Sequence, residues 1–157
     1  FLNLFATALA LAPVFPLAGA DARFQPVWLG DVVEAIVRCL KDAGSVHRIY
    51  ECAGPKVYTL RELVHASGVW SGNPRPIVAL PPALAQIQAW FLEHLPGEPL
   101  MSRDNLASMR APNVASGTLP SLSDLGIVPA ALEAIAPAYL RWRIGLSAKD
   151  AWRARHR

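Results

Sequence analysis

The run Phe24–Leu40, FQPVWLGDVVEAIVRCL, narrows the choice of fold more than any other part of this chain. Val27 and Leu29 alternate with Pro26 and Trp28, which predicts a short strand ended by Gly30. Asp31 then stands where a helix N-cap is wanted, with Glu34 three residues on, a capping box with Asp in place of Ser or Thr. The helix that follows carries Val32, Val33, Ile36, Val37, Cys39 and Leu40, apolar over more than one face. Such a helix is expected to be covered on two sides, as one flanking a sheet would be.

Other segments extend this alternation. The uncharged run Phe1–Ala18 has a short apolar core and an Ala18-Gly19-Ala20 sequence like a signal-peptide cleavage site. Pro13 and Pro16 interrupt it, so a buried helix over Leu2–Leu11 followed by a Pro-rich turn is the preferred reading. Arg48–Cys52 and Pro74–Leu80 read as further strands, the second with proline at its edge. Thr59-Leu60-Arg61-Glu62 is a capping box opening a helix that Gly68 ends or weakens. Pro81-Pro82 suits the first turn of a helix to about Leu95, with Leu84, Ile87, Trp90, Phe91 and Leu95 as its apolar stripe. Short helices are expected at Ser102–Met109 and Ser121–Leu125, and an amphipathic one at Pro129–Trp142. The class is α/β, mostly helical with about three short strands. Three strands make little sheet, so the rest of it is expected outside this chain. The absence of an initiating methionine fits the same expectation.

Length predicts one domain, and 53% hydrophobic with 17% charged residues predicts a folded core. The net charge of +3 is divided unevenly. Residues 141–157 hold six basic groups and one acid, whereas the other 140 residues hold nine basic and eleven acidic groups. A basic folded face, which nucleic-acid binding needs, is therefore not expected. The tail RWRIGLSAKDAWRARHR mixes arginines with Trp142 and Trp152, a composition suited to an anionic membrane surface, beside the plainer reading of a solvated terminus. Cys39 and Cys52 read as inert core thiols, and His47, His65, His94 and His156 lie too far apart to suggest a metal site.

Five segments in order give the chain a family resemblance: FLNLFA at Phe1–Ala6, QPVWLGDVVEAI at Gln25–Ile36, YECAGPKVYTLRELV at Tyr50–Val64, LMSRDNLASM at Leu100–Met109 and SDLGIVPAALEAIAPAYL at Ser123–Leu140. Together they resemble the C-terminal half of an extended, atypical short-chain dehydrogenase/reductase of the NAD-dependent epimerase/dehydratase superfamily. The nearest resemblance is to the subfamily that contains the NAD(P)H-binding accessory subunit of respiratory complex I. The resemblance implies residues 1–140 as the substrate-pocket portion of a Rossmann-like protein, including its last sheet strand, and residues 141–157 as a basic tail.

It also implies what lies elsewhere. In the family a Gly-rich turn at a helix N-terminus cradles the dinucleotide. No such turn occurs here, nor does the Tyr-x-x-x-Lys pair: Gly54, Glu62 and Arg143 stand four residues after Tyr50, Tyr58 and Tyr139. NADP or NAD is thus expected on a missing N-terminal Rossmann half, with no cofactor and no catalytic residue in this stretch. An Arg that grips diphosphate in sugar-nucleotide enzymes aligns with Phe24, and Asn113–Pro120 lacks their Arg-x-Gly-Asp, which speaks against a sugar nucleotide. The layout would bring Asn3, Phe24, Gln25, Trp28 and Arg103 nearest a substrate pocket. Plainer roles for these are a helix surface for Asn3, a strand-edge bond for Gln25, core packing for Phe24 and Trp28, and a solvated face for Arg103. Expected partners are the missing half, a second copy of the chain, and a membrane surface or respiratory complex reached through the tail. The implied location is cytoplasmic, peripheral at the inner face of the membrane.

Overall fold

The computed structural model describes residues 2–94 and 102–140. The expected basic tail therefore lies outside the described residues, as does Leu95 of the predicted apolar stripe. The described chain is a mixture of helices and a few very short strands, an α/β arrangement in which helix predominates. It divides into two compact units: one formed by residues 2–22, 59–94, 102–111 and 136–140, the other by Arg23–Tyr58 and Pro112–Ile135.

In the first unit the uncharged N-terminal run folds as helix α1 (Leu2–Leu11) and strand β1 (Phe15–Leu17). Leu2, Phe5, Ala6 and Leu9 are buried, at the i, i+3, i+4, i+7 spacing of one helical face. Helix α3 (Leu60–Trp70) packs against α1 and buries Leu60, Leu63, Val64, Ser67 and Gly68. Its start is the expected capping box: Thr59 Oγ1 accepts the Glu62 N–H, and the Glu62 carboxylate accepts the Thr59 N–H at 2.7 Å. The helix runs through Gly68 to Trp70. A Cβ on Gly68 would stand 3.1 Å from the Asn73 carbonyl oxygen and 3.3 Å from a Leu9 methyl, so the glycine allows a close approach and does not end the helix.

Strand β4 (Ile77–Ala79) pairs with β1 in parallel, Phe15 opposite Ile77 and Leu17 opposite Ala79. Strand β1 thus replaces the Pro-rich turn expected there. Pro16 is tolerated because a two-stranded sheet leaves each strand one unpaired edge. Helix α4 (Pro82–Glu93) begins with proline in its first turn, as expected, but turns the other way round. It buries Ala85 and Ala89, whereas Leu84, Ile87, Trp90 and Phe91 face outward. The small residues make the contact, and helix spacing depends on the size of side chains at the interface. Helix α5 (Arg103–Ser108) is capped by the Ser102 hydroxyl, which accepts the Asn105 N–H.

The second unit contains strand β2 (Arg23–Phe24), helix α2 (Leu29–Lys41) and a 3₁₀ turn at Leu122–Leu125. Strand β3 (Tyr58–Thr59) lies beside β2. The strand expected over residues 25–29 does not form. Pro26 has no N–H to pair, and its carbonyl oxygen packs so close to Gly54 that a Cβ there would approach to 2.0 Å. Nor is Asp31 the N-cap. Helix α2 starts three residues earlier, with the extended backbone of Trp28 at its N-cap and the Trp28 ring folded over Gly30. Asp31 is instead buried, and its carboxylate accepts the Ala130 N–H at 2.8 Å.

The two-sided covering expected for α2 is also absent among the described residues: only Asp31 and Ala35 are buried. Ala35 joins Leu122 and Ile127 in a small core flanked by Val27 and Leu125. Arg48–Cys52 is not a strand but a single parallel bridge, Glu51 to Ser121. Cys39 is half-buried and Cys52 exposed, so neither is the core thiol that the sequence suggested. The chain leaves the 3₁₀ turn through Gly126, whose φ of +70° is the left-handed conformation favoured by glycine.

Candidate functional site

A cavity of about 310 Å³ opens in the first unit where the parallel pair β1–β4 ends. Gly19–Ala22, the residues after β1, form one wall, and Ala79, Leu80 and Pro82, at the end of β4 and the start of α4, form another. Open parallel sheets place ligands outside the carboxyl ends of their strands, because the connecting loops diverge there. The loop after β1 is held by backbone bonds: the Leu60 N–H donates to the Ala22 carbonyl and the Arg61 N–H to the Ala20 carbonyl. Gly19 has a φ of +65°, and a Cβ there would sit 2.9 Å from Met109 Sδ. The left-handed turn therefore favours glycine.

The lining is largely apolar, with Leu80, Ala85, Leu106 and Met109, and three polar side chains reach it: Asp21, Gln86 and Arg110. Among the described residues the ion pairs are Arg38–Glu34, Lys56–Glu133 and Arg103–Glu93. Asp21 and Arg110 thus line one cavity with opposite charges and are not paired with each other. A concave, mostly apolar site with a few convergent polar groups is the usual form of a small-molecule site.

Two other cavities carry less chemistry. One of about 300 Å³ between α1, β1 and α4 is apolar, lined by Leu4, Phe5, Phe15 and Leu92, with Gln88 as its polar side chain. The other, about 550 Å³ in the second unit, is polar, but Arg38 there is engaged by Glu34 and the Leu125 carbonyl, and Asp124 by Ser121.

None of the five residues expected near a pocket lines the β1–β4 cavity. Phe24, Gln25 and Trp28 belong to the second unit and Asn3 and Arg103 to the first. Gln25 is a brace: its Nε2 donates to the Gly54 carbonyl at 2.8 Å and its Oε1 accepts the Ala115 N–H at 2.9 Å. Phe24 forms a parallel bridge with Asn113. Trp28 is 46% exposed. Arg103 pairs with Glu93, whose carboxyl is held below its ordinary range chiefly by the Arg103 backbone N–H and then by the guanidinium. Asn3 lies on α1, its carbonyl accepting the Thr7 hydroxyl. Asp21, Gln86 and Arg110 were not singled out from sequence. They converge only because β1 pairs with β4, and β1 is hidden in sequence by Pro13 and Pro16. Among the described residues no group of three or more His, Cys, Asp or Glu side chains is placed to hold a metal, and no helix is long and apolar enough to cross a membrane.

The architecture defines an α/β chain with a parallel strand pair and a ligand-sized cavity at its carboxyl ends. No family model matches it. It is similar to subunit 9 of the NADH dehydrogenase (ubiquinone) 1 alpha subcomplex, mitochondrial. Identity to the Arabidopsis thaliana protein is 30% over 122 residues, covering 72% of this chain and 30% of that one. Identity to the Mus musculus protein is 31% over 137 residues, covering 85% of this chain and 36% of that one. The chain thus spans about a third of the length of the curated relatives it matches.

Proposed function

We propose that this chain is the C-terminal, pocket-bearing portion of an NAD(P)-binding, dehydrogenase-like protein that acts as an accessory subunit of an NADH:ubiquinone oxidoreductase. The observation that carries the reading is the similarity to the mouse subunit along 85% of this chain but only 36% of that one. The exposed apolar side chains of α2 support it, since Leu29, Val33, Ile36, Val37 and Leu40 form one stripe that a further layer of structure would bury. The sequence has neither a Gly-rich dinucleotide turn nor Tyr-x-x-x-Lys, so NADP or NAD belongs to the upstream half, and this portion alone is inactive.

Within the assembled protein, Phe24, Gln25 and Trp28 form a rim beside the cofactor half. Trp28 has the free surface to make contact, and Gln25 holds the rim in place. Asn3 and Arg103 are pocket candidates on the first unit. Residues 141–157 carry the basic surface for a respiratory complex or the inner face of a membrane, against which the protein is peripheral. A second reading, the pocket half of a catalytic reductase, draws its support from the charged cavity at the carboxyl ends of β1 and β4.

The test is to measure NADPH binding by this chain alone and joined to the sequence encoded upstream of it. The joined protein is expected to bind and this chain alone not to bind; micromolar binding by the chain alone would overturn the division of labour. Native electrophoresis of the host's respiratory membranes gives the partner. Co-migration of the protein with NADH:ubiquinone oxidoreductase supports the accessory role, and migration apart from it refutes that role.

A further inference from the structure

We propose that the β1–β4 cavity binds a small hydroxycarboxylate with an apolar skeleton, its carboxylate on the Arg110 guanidinium and its hydroxyl donating to the Asp21 carboxylate. The two charges line one cavity of about 310 Å³ and form no ion pair among the described residues, so each is left to meet a ligand group of opposite character. A guanidinium offers paired N–H donors whose spacing matches a carboxylate, whereas an ionised Asp only accepts and so calls for a hydroxyl or ammonium donor. A simple anion would satisfy Arg110 but meet repulsion at Asp21, and a simple cation the reverse. A ligand that carries an acid and a donor satisfies both.

Size and lining limit the rest of the molecule. The volume lies at the low end of small-molecule sites, which run from about 300 Å³ upward. Leu80, Ala85, Leu106 and Met109 give the skeleton apolar contacts, and Gln86 is a further hydrogen-bonding group at the wall. A nucleotide-sized ligand would not be enclosed by these walls. This inference rests on the pocket-bearing reading of the chain but not on its cofactor, and its test contains no nucleotide. Its failure is therefore distinguishable from a failure of NADPH binding or of complex association.

The experiment is an NMR titration of the full 157-residue chain with 3-hydroxybutyrate and, separately, with butyrate. Amide shifts should cluster on residues 19–22, 80–86 and 106–110, with 3-hydroxybutyrate binding more tightly than butyrate. Arg110→Gln should weaken both ligands about tenfold or more, by loss of a charged bidentate bond. Asp21→Ala should abolish the preference for the hydroxy acid and improve butyrate, because the repelling carboxylate is gone. Asp21 and Arg110 are exposed, and neither forms an ion pair among the described residues, so both variants should fold like the parent, which thermal unfolding checks. Leu106→Trp fills the cavity while keeping both charges, and should block both ligands. Shifts scattered over the surface, equal binding of the two acids, or binding unaffected by Leu106→Trp would each overturn the proposal, as would no binding at all.

Discussion

Asp31 shows how a residue with an obvious local role is recruited for a distant one. Three residues into α2, its buried carboxylate accepts the N–H of Ala130, ninety-nine positions along the chain. An apolar replacement leaves that N–H without a partner, which costs about 1–3 kcal/mol. Asp31→Ala should therefore lower the unfolding free energy by that amount in chemical denaturation, and Asp31→Asn, which keeps an acceptor oxygen, should recover most of it. Equal stability for the two variants would show that the bond contributes nothing. Gly54 is a second residue whose neighbours dictate its identity. A Cβ there would meet the Pro26 carbonyl oxygen at 2.0 Å, and its own carbonyl accepts Gln25 Nε2. Gly54→Ala forces main chain apart and should destabilise by about 1–3 kcal/mol, read from the same denaturation experiment. Glu51 gives a pH dependence. Its carboxylate accepts the N–H groups of Ser116 and Gly117, and the Ser116 bond above all holds its carboxyl below the ordinary range. Because the lowered value belongs to the folded state, protonation favours the undocked loop. The contribution is complete above the ordinary carboxylate range and is lost as pH falls through the depressed value. The amide protons of Ser116 and Gly117 should shift together in an acid titration below that range, and Glu51→Gln should remove the transition.

The elements legible in sequence were those whose signals are local. The Thr59–Glu62 capping box, the short helices that follow Ser102 and Ser121 and the Leu2–Leu11 helix need only neighbouring residues to form, and all four are present. Elements that depend on partners were misread. Strand β1 exists through its pairing with β4, and nothing in PVFPLAG announces it, since proline argues against a strand until an unpaired edge is known. Residues 25–29 have the alternation of a strand, but Pro26 and the approach of Gly54 prevent the ladder. Helix α4 shows the limit of reading burial from hydrophobicity: its largest apolar residues face outward while Ala85 and Ala89 make the core contact. The candidate site was hidden for the same reason. Asp21 and Arg110 have unremarkable sequence neighbours, and only the β1–β4 pairing and the packing of α5 bring them to one cavity.

At the scale of the molecule, the distribution of exposed apolar surface is the strongest physical statement about what the chain needs. The uncharged N-terminal helix contributes Leu2, Phe5, Ala6 and Leu9 to the core. The exposed surface lies instead on helix faces. On α2, Leu29, Val33, Ile36, Val37 and Leu40 recur at i, i+4, i+7, i+8 and i+11, with Ile36 55% and Leu40 83% exposed. A contiguous stripe of this kind associates with whatever apolar surface is available. For the chain alone that surface is a second copy, so concentration-dependent self-association is expected in sedimentation velocity. Replacing Ile36 and Leu40 together by Lys should disperse the associated form without lowering the melting temperature, because neither side chain is buried in the folded chain. The same pair of substitutions separates the sources of association. If the stripe is the seat of an upstream half, the substituted chain should also fail to co-purify with that half when the two are expressed together. Unchanged self-association would move the adhesive surface to α4, whose outward Leu84, Ile87, Trp90 and Phe91 form the other large apolar face.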